Sequence, residues 1–149
     1  MSAQENAALA QKLYQLFNDN QFDEALALAK EDIEVVLVPF GQTFQGHEGF
    51  RNFMMGFKTA FPDIAITQVI SQIATDEAVV SEFTARGTHS GPLLTPAGEI
   101  PPTGRTVDFT VCEVWQMRDG KVTSLHNYQD AASLMRQLGL LPEPEAASA

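Results

Sequence analysis

The chain has 149 residues, 44% of them hydrophobic, with nine basic against nineteen acidic side chains and a formal charge of −10. One globular unit with a substantial core is expected. Nucleic acid and anionic membrane are disfavoured as partners, because both are held by surplus Lys and Arg. No apolar run approaches a membrane span, the N-terminus lacks the basic and apolar regions of a signal peptide, and the lone Cys112 excludes an intrachain disulfide. A cytoplasmic protein is expected.

In chain order, residues Ala3 to Asn18 place Leu9, Leu13, Leu16 and Phe17 at helical spacing, and Asn18-Asp19-Asn20 breaks the helix. A short second helix follows from Asp23 to Ala29. Ile33 to Phe40 is β-branched and reads as a strand, with Pro39 marking an edge or an end. Gly41 to Gly46 reads as a turn-rich link. His47 to Phe61 reads as a third helix, where Phe50, Phe53, Met54, Phe57 and Phe61 form an aromatic stripe. Such a stripe is ordinarily core, yet Phe53 and Phe57 also suit the wall of a small-molecule cavity.

Ile64 to Ala74 and Ala78 to His89 read as long strands joined by a turn. Ser90 to Arg105 is rich in Gly and Pro but too apolar for a solvated loop, so a lid or a dimer contact is expected there. Thr106 to Arg118 is a further strand. Phe83, Phe109, Val111 and Trp115, if they do not all face inward, make an apolar outer sheet surface that a second copy of the chain would cover. Asp119-Gly120 is the signature of a tight hairpin turn, and a last strand runs from it to Asp130. A final helix then places Ala131, Leu134 and Leu138 on one side and ends at Gly139.

The two-residue period puts Val122, Ser124, His126, Tyr128 and Asp130 on one face of that last strand. A column of His, Tyr and Asp is an odd core face and would suit a pocket. Asp130 serves equally well as the N-cap of the following helix. No phosphate-cradling loop, dinucleotide fingerprint or metal-ligand spacing is present, and His47, His89 and His126 lie far apart. Cys112 reads as a small buried residue. His89, within GTHSG, either shuttles a proton or satisfies loop carbonyls, and the flanking glycines permit a bulge.

FPDI at 61–64, GTHSG at 87–91, PPTGRTV at 101–107, DGKV at 119–122 and D-x-x-x-L-x-x-Q-L-G at 130–139 follow one another in register. Together they resemble the SnoaL-like polyketide (ester) cyclases, over about Leu16 to Leu141. The resemblance implies an α+β, nuclear transport factor 2-like (cystatin-like) fold, a cone of curved antiparallel sheet wrapped by helices around a deep pocket. One such domain over residues 1–141 and a tail over 142–149 are expected. It also implies cofactor-free and metal-free acid/base chemistry on a hydrophobic carbonyl compound, an intramolecular aldol-type cyclisation or isomerisation. The family's general acid/base matches Asp130, and its partner histidine falls near Gln116, where this chain differs. His126 and His89 are the substitute candidates, and Tyr128, Gln116, Phe53, Phe57 and Trp115 are the expected substrate contacts. Two alternatives stay open: an epoxide hydrolase, which would need an Asp-Arg-Asp network for which Asp108 and Arg86 are the candidates, and a binding module without chemistry. A homodimer is expected in either case.

Overall fold

The computed structural model describes residues 2–142. Helix α1 (Ala3–Asn18) opens with a reciprocal cap, Ser2 Oγ accepting from Glu5 N–H while Glu5 accepts from Ser2 N–H. Helix α2 (Phe22–Ala27) and strand β1 (Ala29–Leu37) follow, and Pro39 sits in a single 3-10 turn that ends the strand. The presumed link after it holds a four-residue strand, β2 (Gln42–Gln45), then come helix α3 (Gly46–Ala60), β3 (Ala65–Ala74) and β4 (Ala78–Thr88). A small hairpin, β5 (Leu93–Thr95) with β6 (Gly98–Ile100), precedes β7 (Thr106–Arg118), β8 (Lys121–Gln129) and helix α4 (Ala131–Gln137). Asp119 and Gly120 both adopt positive φ (52° and 77°), the two-residue turn that matches strand twist. Of the tail expected over 142–149, residues 143–149 lie outside the described residues.

Six strands form one curved, unclosed sheet in the order β2-β1-β8-β7-β4-β3. The pairing is antiparallel throughout except where β1 runs parallel to β8, a crossover the run of strands in the sequence did not reveal. Strand β7 alternates without a break: Val107, Phe109, Val111, Glu113, Trp115 and Met117 are buried, and the residues between them lean outward. Phe83, Phe109, Val111 and Trp115 all face inward and are at most 5% exposed. The outer face is therefore not made of the residues first expected there.

Three of the sequence motifs meet in one place. The Asp63 carboxylate accepts from Thr88 N–H (2.6 Å) and the Thr88 hydroxyl (2.8 Å), bonds that lower its pKa. Phe61 is fully buried, edge-on to Phe109 (5.0 Å between ring centroids) and tilted against His89 (5.3 Å). Gly87 and Gly91 exist for close approach. A Cβ on Gly87 would lie 3.0 Å from Phe61 Cβ, and one on Gly91 would lie 1.9 Å from Thr59 O. FPDI and GTHSG thus lock the end of α3 to the end of β4, and Thr103 of PPTGRTV joins them through His89.

Candidate active site

Helices α1 and α3 cover the concave face of the sheet, and between them lies a cavity. Its walls are Tyr14 and Phe17 from α1, the Phe50, Phe53, Met54 and Phe57 stripe of α3, and the inward residues of β4, β7 and β8. Phe53, Phe57 and Trp115 are among the lining residues. About 60 Å³ is free, less than the roughly 150 Å³ that accepts a benzene. For a ring-sized ligand to fit, half-buried lining residues such as Phe17, Phe57 and Ile66 would have to move.

Among the described residues, one carboxyl group stands in this apolar space. Glu113, midway along the buried column of β7, is 5% exposed, and burial pushes its pKa up to about 7 although Asn127 and Tyr14 pull the other way. Asn127 Nδ2 donates to Glu113 Oε2 at 2.6 Å, and Gln129 Nε2 donates to Asn127 Oδ1 at 2.9 Å. Trp115 Nε1 donates to the Tyr14 hydroxyl at 2.8 Å, and burial drives the Tyr14 pKa upward, so the phenol keeps its proton. Gln129 Oε1 is buried without a hydrogen-bond partner among the described residues. Carboxyl, phenol and two amides therefore line one side of a cavity that is otherwise hydrocarbon.

The column expected on β8 faces the other way. Gln116 pairs with Ser124 but Met117 pairs with Val122, so Thr123 is an extra residue, a bulge on β8. The bulge lets Val122 face inward and then shifts the alternation by one. Leu125, Asn127 and Gln129 enter the cavity, while Ser124, His126 and Tyr128 turn outward. Tyr128 is 44% exposed. Gln116 also lies on the outer face, paired to Ser124.

Asp130 is likewise corrected. Its side chain caps α4, accepting from the backbone N–H of Ser133 at 3.0 Å, and it is exposed and absent from the cavity wall. Asp130→Ala should lower stability by about 1 kcal/mol, and Asp130→Asn much less. Turnover should stay within a few-fold of wild type in both, as thermal melts and a rate assay would show. A large rate loss in Asp130→Asn would return the acid/base role to this residue.

His89 is fully buried but does not line the cavity. Its Nδ1 accepts from Thr103 N–H (3.2 Å), leaving the proton on Nε2, which has no partner among the described residues, and burial lowers its pKa. Backbone bonds from His89 N to Arg105 O and from Gly104 N to His89 O (both 2.8 Å) close the loop between them. The loop meets the end of α3 where Gly91 N–H donates to Ala60 O, just before its hairpin, and none of its residues lines the cavity. Arg86 and Asp108 pair at 3.2 Å on the exposed outer face, and neither lines the cavity.

Glu113, Asn127, Gln129 and Tyr14 escaped the sequence reading. A signal for Glu113 was present: it is the one charged residue in the apolar column Val107, Phe109, Val111, Trp115, Met117.

The sequence matches the SnoaL-like polyketide cyclase family over residues 7–138. It finds no match among curated proteins. Among solved structures it is similar to AclR, a candidate hydroxylase from Streptomyces galilaeus, with TM-score 0.80 at 25% identity over 95% of this chain and 89% of that one. A candidate SnoaL-like polyketide cyclase from Jannaschia sp. CCS1 superposes with TM-score 0.82 at 20% identity, covering 94% and 95% of the two chains. IdmH, a candidate polyketide cyclase from Streptomyces antibioticus, gives TM-score 0.75 at 25% identity over 90% and 98%.

Proposed function

The chain belongs to the SnoaL-like polyketide cyclase family, and from that premise we propose that it binds a hydrophobic carbonyl compound between α1, α3 and the sheet, with Glu113 as the general acid/base. The observation that carries this reading is a carboxyl, the single one lining the apolar cavity among the described residues, with a pKa raised to about 7. Near neutral pH such a group takes and returns a proton with comparable ease. The ionised carboxylate removes a proton from the carbon α to the carbonyl. Tyr14, which keeps its proton, donates to the enolate oxygen that develops. In a cyclisation the enolate carbon bonds to a second carbonyl carbon, and the new alkoxide takes the proton back from Glu113. In an isomerisation the proton returns to a different carbon.

Exchange of the α-proton for deuterium in an aromatic polyketide-like β-dicarbonyl ester, followed by NMR, tests this without presuming the product. Catalysed exchange that Glu113→Gln abolishes supports the reading. A wild-type protein that binds the ester but exchanges no proton is a binding module instead.

A homodimer in a reducing cytoplasm is the accompanying proposal. On the outer face the register aligns Val36, His126, Val114, Val80 and Ile73 in one row across five strands. Ile73 is 69% exposed and Tyr128 lies beside the row. An apolar stripe of this kind suits a self-complementary contact about a two-fold axis. Sedimentation at tens of micromolar, roughly where a standard interface is occupied, should give twice the 16.3 kDa chain mass, and Val114→Lys should give the monomer. A wild-type monomer would refute the proposal.

A further inference from the structure

We infer that the row Glu113–Asn127–Gln129 is a reversible hydrogen-bond relay that presents a different end to the ligand according to the protonation of Glu113. The inference rests on the cavity being the ligand site. Its direction follows from which atoms can face one another. Asn127 must turn an N–H toward an ionised Glu113 carboxylate, which leaves its carbonyl for an N–H of Gln129. Gln129 is then left with Oε1, a buried acceptor lacking a partner among the described residues, at the cavity wall. In this state the ligand that satisfies the site brings a hydrogen-bond donor, such as an enol or phenol hydroxyl.

Protonating Glu113 inverts the row. Its new O–H donates to Asn127 Oδ1 once that amide has turned over. Asn127 Nδ2 then faces Gln129 and requires Oε1 there, which frees Nε2 as a donor toward the ligand. The same residue now suits a ketone or ether oxygen. An acceptor site for the enol and a donor site for the ketone would thus alternate with the proton that Glu113 exchanges. Because an unmatched buried polar group is costly, the preference between matched and unmatched ligands should be about tenfold.

Few other groups can produce such a dependence. Of the residues lining the cavity, Tyr14 and Glu113 alone titrate, α3 contributes only Phe and Met, and Ser81 of β4 stands opposite Glu113 in register. Tyr14 keeps its proton throughout. His89 lies beyond Phe61, outside the lining.

The test compares 2-naphthol, which donates, with 2-methoxynaphthalene, which only accepts. Their affinities for the full chain are measured by fluorescence at about pH 5.5 and about pH 8.5, on either side of the Glu113 titration. At the higher pH wild type should prefer the naphthol by about tenfold, and at the lower pH that preference should vanish. Glu113→Gln should make the ratio independent of pH, and Gln129→Met should remove the preference at the higher pH. A wild-type ratio that does not change with pH overturns the relay while leaving the cavity as a ligand site, and it needs no variant to fold. A preference that persists in Gln129→Met also overturns it. Binding of neither probe overturns the cavity reading and the relay together.

Discussion

Glu113→Gln is expected to lower turnover by roughly two to four orders of magnitude while making the protein more stable above neutral pH. The two effects share a cause. A carboxyl buried in hydrocarbon is a base at neutral pH because its ionised form is disfavoured there, and that same disfavour weighs against the fold once the group ionises. The folded pKa, about 7, lies above the ordinary 4.5, so below about pH 4.5 both folded and unfolded chains hold the proton and nothing is lost. Between 4.5 and about 7 the unfolded chain releases it first, and stability falls. At roughly 1.4 kcal/mol per pH unit the loss is on the order of 3 kcal/mol. Wild type should therefore melt at a higher temperature near pH 5 than near pH 8 through this group, and Glu113→Gln should flatten the slope. In wild type kcat/KM should rise with pH through about 7 as the base ionises. A variant that keeps wild-type turnover would end the assignment of Glu113 as acid/base, whatever the melting curves do.

Phe61→Ala is expected to cost about 3–5 kcal/mol, the range for removing a fully buried aromatic ring. Relaxation cannot easily fill the gap. Gly87 has no side chain to move into it, and Phe109 and His89 are each held in place by their own strand or loop. Chemical denaturation should report the loss directly. Hydrogen exchange should show the first added opening at Thr103–Arg105, whose bonds to His89 depend on the ring beside it. A loss under about 1 kcal/mol would mean that the site collapses, and the motifs would not be the latch described above.

Much of the fold was legible because helix period, strand alternation and turn chemistry agreed along the chain. The aromatic stripe at Phe50, Phe53 and Phe57 identified α3, and Asp119-Gly120 fixed the last hairpin. Strand β2 was not legible, since four residues carry too little pattern, and the parallel pairing of β1 with β8 is a long-range choice with no local mark. The site was misread for a more particular reason. The motifs that reveal the family hold the scaffold together: Asp63 grips Thr88, His89 holds Thr103, and Asp130 caps α4. Of their side chains only Ile64 reaches the cavity. Apart from Tyr14 on α1, the polar residues that do reach it sit in the least distinctive stretches of β7 and β8, and on β8 their facing depends on a bulge that alternation alone does not disclose.

The extra residue at Thr123 makes the interior's chemistry a matter of counting. Were Thr123 drawn into the ladder opposite Gln116, every later residue of β8 would slip by one, and His126 and Tyr128 would replace Asn127 and Gln129 on the inner face beside Glu113. An amide-lined chamber would become one lined by imidazole and phenol without any substitution. The scaffold thus holds a second reactive set in reserve on its outer surface, separated from the first by a one-residue slip of β8 rather than by any change of sequence.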